Sequence, residues 1–220
     1  MVDLEALKAQ HRKAEQRAHL LREIIETVLL TALIFLVVHI TIQDFRVDGP
    51  SMQPGLQANQ YLLVNSTAYW FGSPSRGDVI VFHQHHIHAD SYDLANGCTA
   101  DAGTGGQYMS CDYVKRVIAL PGDTVEITAT QVKVDGTLLT EPYIQVPPGE
   151  SQSTVVVPAT KLTSDQYFVM GDNRLNSSDS RFFGPISRSN IVGRVVMVFW
   201  PLNQAHWLTN YSSVFTHVKP

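Results

Sequence analysis

A chain of 220 residues has room for one domain of ordinary size plus an appendage, and a core that size needs no disulfide to hold together. Hydrophobic residues make up 44% and charged residues 16%, which excludes a disordered or highly charged chain. The net charge of -4 and the lack of a basic stripe exclude a nucleic-acid partner.

Residues 1–23 are rich in Glu, Lys, Ala, Leu, Gln and Arg and are expected to form a cytoplasmic juxtamembrane helix. It runs into a predicted transmembrane anchor over 24–43. No Asp, Glu, Lys or Arg occurs from Thr27 to Gln43, and a helix over 24–42 spans roughly the 30 Å hydrocarbon core. A buried core helix is the alternative, since His39 and several threonines dilute the apolar run. A cleaved signal peptide fits less well, because Asp44-Phe-Arg-Val-Asp48 offers no small-x-small site. Lys8, Arg12, Lys13, Arg17 and Arg22 precede the anchor and only Arg46 follows closely. The N-terminus is therefore expected in the cytoplasm and everything from Asp44 onward outside, a single-pass protein of the plasma membrane.

Over 44–220 the pattern changes to short apolar runs punctuated by Gly, Pro, Asn and Asp. Runs at 61–64, 78–82, 113–120, 124–128, 131–134, 167–170 and 191–200 read as strands, and Val134-Asp-Gly-Thr137 reads as a two-residue hairpin turn. The fold class predicted is mainly β: an N-terminal transmembrane helix, then a single all-β domain of curled, barrel-like antiparallel sheets. An extended loop is expected at 83–112. Phe199, Trp200 and Trp207 could lie at the headgroup level or pack within the last strands.

Three stretches bear on chemistry. In Val47-Asp-Gly-Pro-Ser-Met-Gln-Pro-Gly-Leu56, glycines and prolines surround Ser51 and predict a tight turn that aims one hydroxyl. A serine needs a base, and none of the nine histidines sits in a stretch built to present one. Lys115 lies inside Tyr113-Val-Lys-Arg-Val-Ile-Ala-Leu120, where apolar neighbours imply a strand buried on both faces. Desolvation there would favour the neutral amine, a competent base; the alternative is a lysine that snorkels to the surface beside Arg116. In Gly171-Asp-Asn-Arg-Leu-Asn-Ser-Ser-Asp-Ser-Arg181, Asp172, Asp179, Arg174 and Arg181 can pair internally while Ser177 or Ser178 donates to a neighbouring amine.

With Arg76-Gly-Asp-Val-Ile-Val-Phe82, these stretches follow one anchor in an order that resembles bacterial type I signal peptidase, the membrane protease that removes signal peptides from exported preproteins. The resemblance covers about 44–200. It implies Ser51 as nucleophile, Lys115 as general base, Ser177 as the hydroxyl orienting the lysine, Asp179 and Arg181 as an ion pair beneath the site, and Asp172 and Arg174 as loop supports. It implies cleavage after small residues (Ala-x-Ala) through an acyl-enzyme, with shallow pockets for the first and third residues before the cut. By position Phe45, Val47, Met52, Leu56, Leu62, Val81, Tyr113 and Val114 would line them, although each is also a plausible core residue. The partners implied are secretory preproteins and the lipid bilayer, with no cofactor, no metal and a monomeric chain.

Three features depart from the family pattern. Gly49 stands where some members place an oxyanion-stabilising hydroxyl, and Ala119 where glycine is usual. The 83–112 region carries His83, His85, His86 and His88, then Cys98 and Cys111. Two cysteines in an exported loop most often form a disulfide. Zinc held by the histidines and cysteines, or free thiols, are the alternatives, and a membrane-tethered metal sensor is the rival from another functional class. A Ser-Lys protease with a narrower client is the rival among enzymes.

Overall fold

The computed structural model describes residues 4–87, 98–100, 108–147 and 149–218. The chain divides into two compact units, Met1–Thr41 and Ile42–Pro220. The first is one helix, α1 (Leu4–Thr41), whose segment His19–Thr41 is long and apolar enough to cross a membrane. None of that segment is buried, whereas a core helix would be. The helix stops two residues before the expected boundary, because Ile42 and Gln43 already pair with Asn65 and Val64 as the start of a strand.

Among the described residues the second unit has thirteen strands in two antiparallel sheets. The larger is built on β1 (Ile42–Arg46), β2 (Tyr61–Asn65), β3 (Val79–Ile87), β5 (Tyr108–Ala119), β10 (Gln166–Met170), β11 (Ile186–Ser187) and β12 (Ile191–Trp200), in the order β1-β2-β12-β3-β5-β10-β11. Two short strands lie off this path: β4 (Thr99–Ala100) on β5, and β13 (His206–Trp207) on β12. The smaller sheet orders β8 (Thr137–Leu138), β7 (Val132–Val134), β6 (Thr124–Ile127) and β9 (Val157–Lys161). Among the described residues the larger sheet is an open path ending at β1 and β11, so the barrel-like closure expected from the sequence is not formed.

Period-two alternation sets the faces. Along β2 only Leu62 and Val64 are fully buried, and along β6 only Val125 and Ile127, the pattern of strands with one face in a core. The hairpin between β7 and β8 turns at Asp135 and Gly136, both at positive φ, as the Asp-Gly pair requires. β1 escapes sequence reading because Ile-Gln-Asp-Phe-Arg is an exposed edge strand with no apolar alternation. A third of the expected 83–112 loop is paired in this ladder instead: β3 and β5 stay in register from His83 opposite Asp112 to Ile87 opposite Tyr108. His88 lies outside the described residues.

One core cluster matters for the site. Val47, Met52, Leu56, Leu62, Val64, Val79, Val81, Val195 and Val198 pack together, so the segment carrying Ser51 is bolted to β2, β3 and β12. Leu62 is completely buried there, and Leu62→Ala is expected to lower unfolding free energy by about 3 kcal/mol in chemical denaturation.

Candidate active site

The Ser51 turn is fixed from both ends. Val47 exchanges backbone hydrogen bonds with the segment 59–60 (Val47 N to Gln60 O, 2.8 Å; Asn59 N to Val47 O, 2.7 Å), and Gln53 N donates to Pro50 O at 3.0 Å. Met52 and Leu56, each 1% exposed and joined by a 2.9 Å backbone bond, drive one side of the turn into the core and leave Ser51 at its edge. Asn173 then clamps the turn from the facing loop, its amide donating to Ser51 O at 3.0 Å and its side chain to Pro50 O at 3.1 Å. Among the described residues the Ser51 amide donates no hydrogen bond, and Ser51 lines the cleft.

Lys115 lies on β5, which is bracketed by β3 and β10, and only 2% of it is exposed. Snorkelling is therefore excluded. Its Nζ lies 2.8 Å from Ser51 Oγ, donates to Val114 O at 3.0 Å and stands over the Tyr113 ring. Burial lowers the Lys115 ammonium from 10.5 to about 8; the carboxylates of Asp179 and Asp172 oppose that shift, and Arg181 adds to it. Burial wins because each carboxylate already holds its own cation. The arrangement disfavours the charged amine by about 3 kcal/mol relative to water.

The charged residues of the loop divide their work differently from the sequence expectation. Asp179 and Arg181 do pair internally, with two contacts of 2.8 and 2.7 Å, and both are almost wholly enclosed. Asp179 also accepts from the amides of Gly171 and Arg181 and caps the one-turn helix α2 (Ser180–Phe183). Burial alone would raise its carboxyl, but Arg181 and the Gly171 amide hold it below its usual range. Asp172, by contrast, pairs across to Arg116 at 2.9 and 2.7 Å, because β10 ends with Met170 opposite Arg116. The Arg116 guanidinium lies over the rings of Tyr143 and Tyr211. Arg174 turns away to Glu141, Gln152 and Gly171 O.

Gly171 is the close-approach point of the site. A Cβ there would lie 2.2 Å from Ser177 Oγ and 2.4 Å from Ser51 O, so only glycine lets the loop close on the serine turn. Ser177 Oγ is buried and makes no hydrogen bond to Lys115; it faces Asp179, whose carboxylate its hydroxyl helps hold down.

Ser51 and Lys115 open into a cleft of about 190 Å³. Of the expected pocket residues, Val47, Met52, Tyr113 and Val114 line it. Leu56, Leu62 and Val81 are instead core, and Phe45 packs against that core. Arg46, Asp48, Asp112, Asn176 and Ser178 line the cleft without having been expected there, and so do the bonded Cys98 and Cys111. Asp112 is paired with His83 across the β3–β5 ladder. Among the described residues no group of three or more His, Cys, Asp or Glu could hold a metal. Asn173 and Arg116 could have been suspected, since each adjoins a chemically marked residue; Glu141 and Gln152 carry no sequence signal.

Residues 20–200 match the family described as signal peptidase, peptidase S26. A signal peptidase I of Leptolyngbya laminosa is 38% identical, over 84% of this chain and 82% of that one. A probable signal peptidase I-1 of Synechocystis is 36% identical over 76% of each chain. Signal peptidase I T of Bacillus subtilis is 32% identical over 80% of this chain and 83% of its own. A tight serine turn, a buried lysine against its hydroxyl and this breadth of similarity converge, and the chain belongs to the signal peptidase family and is a peptidase.

Proposed function

We propose that the protein is a membrane-anchored endopeptidase that removes signal peptides from exported preproteins, cutting after Ala-x-Ala by a Ser51–Lys115 dyad. The observation that carries this reading is the 2.8 Å approach of an enclosed, deprotonation-prone Lys115 Nζ to Ser51 Oγ at the base of an open cleft. Neutral Lys115 takes the Ser51 proton as Oγ attacks the scissile carbonyl, and the Ser51 amide stabilises the oxyanion that forms. The lysine returns the proton to the leaving amine and the mature protein departs. A water, activated by the same amine, then hydrolyses the ester on Ser51 and frees the signal peptide.

Ser177 serves as a positioning hydroxyl: buried beside Gly171 and the Ser51 turn, it turns toward Lys115 when the amine gives up its bond to Ser51. Asp179 with Arg181, and Asp172 with Arg116, hold the loop that carries it. The α1 segment keeps enzyme and substrate in one plasma membrane, N-terminus in the cytoplasm and the catalytic unit outside, so that they meet in two dimensions. The enzyme acts as a monomer and needs no cofactor.

The test is the pH dependence of kcat/KM on a preprotein. The free enzyme must lose the Lys115 proton to act, so the rate is expected to fall about tenfold per pH unit below an apparent pKa of about 8 and to level off above it. At pH 7 about one enzyme in ten is competent. A limb near the histidine range, about 6.5, would move the base to an imidazole.

A further inference from the structure

The cleft extends beyond the dyad. One wall is the segment 46–50 leading into Ser51, and the other is the part of β5 leading into Lys115. At the far end of that second wall stand Cys98 and Cys111, joined as a disulfide and lining the same cleft as Ser51. Cys111 precedes Lys115 by four residues on one continuous strand, which at about 3.3 Å per residue puts the bridge about 13 Å from the base.

The bridge also ties β4 to this end of the wall, which β3 already pairs from the other side. Cys98 immediately precedes β4, a strand of two residues paired with Ser110 and Met109 of β5. So short a strand has little pairing of its own to hold it. Both cysteines are more than nine-tenths buried, with Tyr113 packed against them, so the small part of them that lines the cleft is apolar and held in place. The charged neighbours are occupied elsewhere: Asp112 pairs with His83, and Arg46 with Asp48.

We propose that the Cys98–Cys111 disulfide is the wall of an additional substrate subsite, selecting an apolar side chain at the fourth or fifth position before the cut. The inference rests on the signal peptidase reading, in which the residues before the cut lie along Val47, Tyr113 and Val114. An extended peptide whose first residue before the cut sits at Lys115 brings the fourth or fifth one alongside Cys111. An apolar side chain there displaces water from sulfur, whereas a charged one loses hydration against it.

The test compares peptides that share an Ala-x-Ala site and differ only at the fourth and fifth positions before the cut, as Leu or Asp. The parent protein is expected to prefer Leu by about tenfold in kcat/KM, chiefly through KM. In Cys98→Ser/Cys111→Ser, and in the parent after thiol reduction, that preference should fall to about twofold or less. A peptide beginning at the third residue before the cut should be cleaved equally by all three forms, whereas a merely structural role would slow every peptide alike. A Leu preference that survives loss of the bridge, or an equal loss on the short peptide, overturns the proposal. Failure of the parent to cut any of the peptides would overturn the signal peptidase reading, and the subsite with it. An independent measurement covers the case in which the double variant does not fold. Ser51→Ala is incubated with the same peptide carrying benzophenone at the fifth position before the cut, irradiated and mapped by mass spectrometry. Label on the segments holding Cys98 or Cys111 is expected, and label confined elsewhere contradicts the subsite.

Discussion

Lys115→Met is expected to lower kcat by about 10³- to 10⁴-fold while making the protein more stable at neutral pH. The loss follows from the geometry: Nζ is the basic group against Ser51 Oγ, and an unactivated serine hydroxyl is a poor nucleophile. The gain in stability follows from burial. A lysine whose ammonium is lowered from 10.5 to about 8 binds its proton less readily folded than unfolded. Its desolvation penalty is therefore felt fully below pH 8 and relieved as pH rises from about 8 toward 10.5, where the unfolded chain still holds the proton. Methionine has nearly the same length and no charge, so at pH 7 the substitution should add up to about 3 kcal/mol in chemical denaturation. Inactivity with raised stability separates a lost base from a lost fold. Inactivity with lowered stability would mean that Lys115 is held by interactions stronger than its burial cost.

Asp179→Ala is expected to be the most damaging single change to the folded loop. Asp179 accepts two contacts from the Arg181 side chain and one each from the amides of Gly171 and Arg181, all within a wholly enclosed site. Removing the carboxylate leaves an uncompensated buried guanidinium and orphans two amides, at a cost of about 3 to 5 kcal/mol. That is a large share of the stability of an ordinary domain, and cleavage should fall with it, because Gly171 and Ser177 lose their register on the Ser51 turn. The double variant Asp179→Asn/Arg181→Gln should be markedly less destabilised than the sum of its single changes, as for any contacting pair. Additive losses would show that the two side chains do not act as one unit.

The sequence exposed the parts of this molecule that are locally determined. The central strands were legible because β2, β5, β6, β7, β10 and β12 concentrate β-branched and aromatic residues between turn signals, and the Asp135–Gly136 turn because its torsions demand those residues. Ser51 and Lys115 were legible as candidates from torsion-setting neighbours and from an apolar strand, and their roles were implied by the family resemblance; their 2.8 Å approach depends on the register of β5 with β3 and on the Asn173 clamp. The pairing of Asp172 with Arg116 and of Arg174 with Glu141 was not legible, because these partners are 56 and 33 residues apart and belong to different elements. Leu56, Leu62 and Val81 show the converse limit. An apolar residue near a site has no local mark that tells pocket from core, and here the packing of β2, β3 and the Ser51 turn assigns all three to the core.

The most direct measurement is cleavage of a preprotein with an Ala-x-Ala site by the detergent-solubilised full chain, beside Ser51→Ala, with the new termini mapped by mass spectrometry. A single cut after the second alanine by the parent, and none by Ser51→Ala at equal folded concentration, is the predicted result. An unchanged cut by Ser51→Ala would contradict the assignment of Ser51 as nucleophile, and with it the Ser-Lys mechanism.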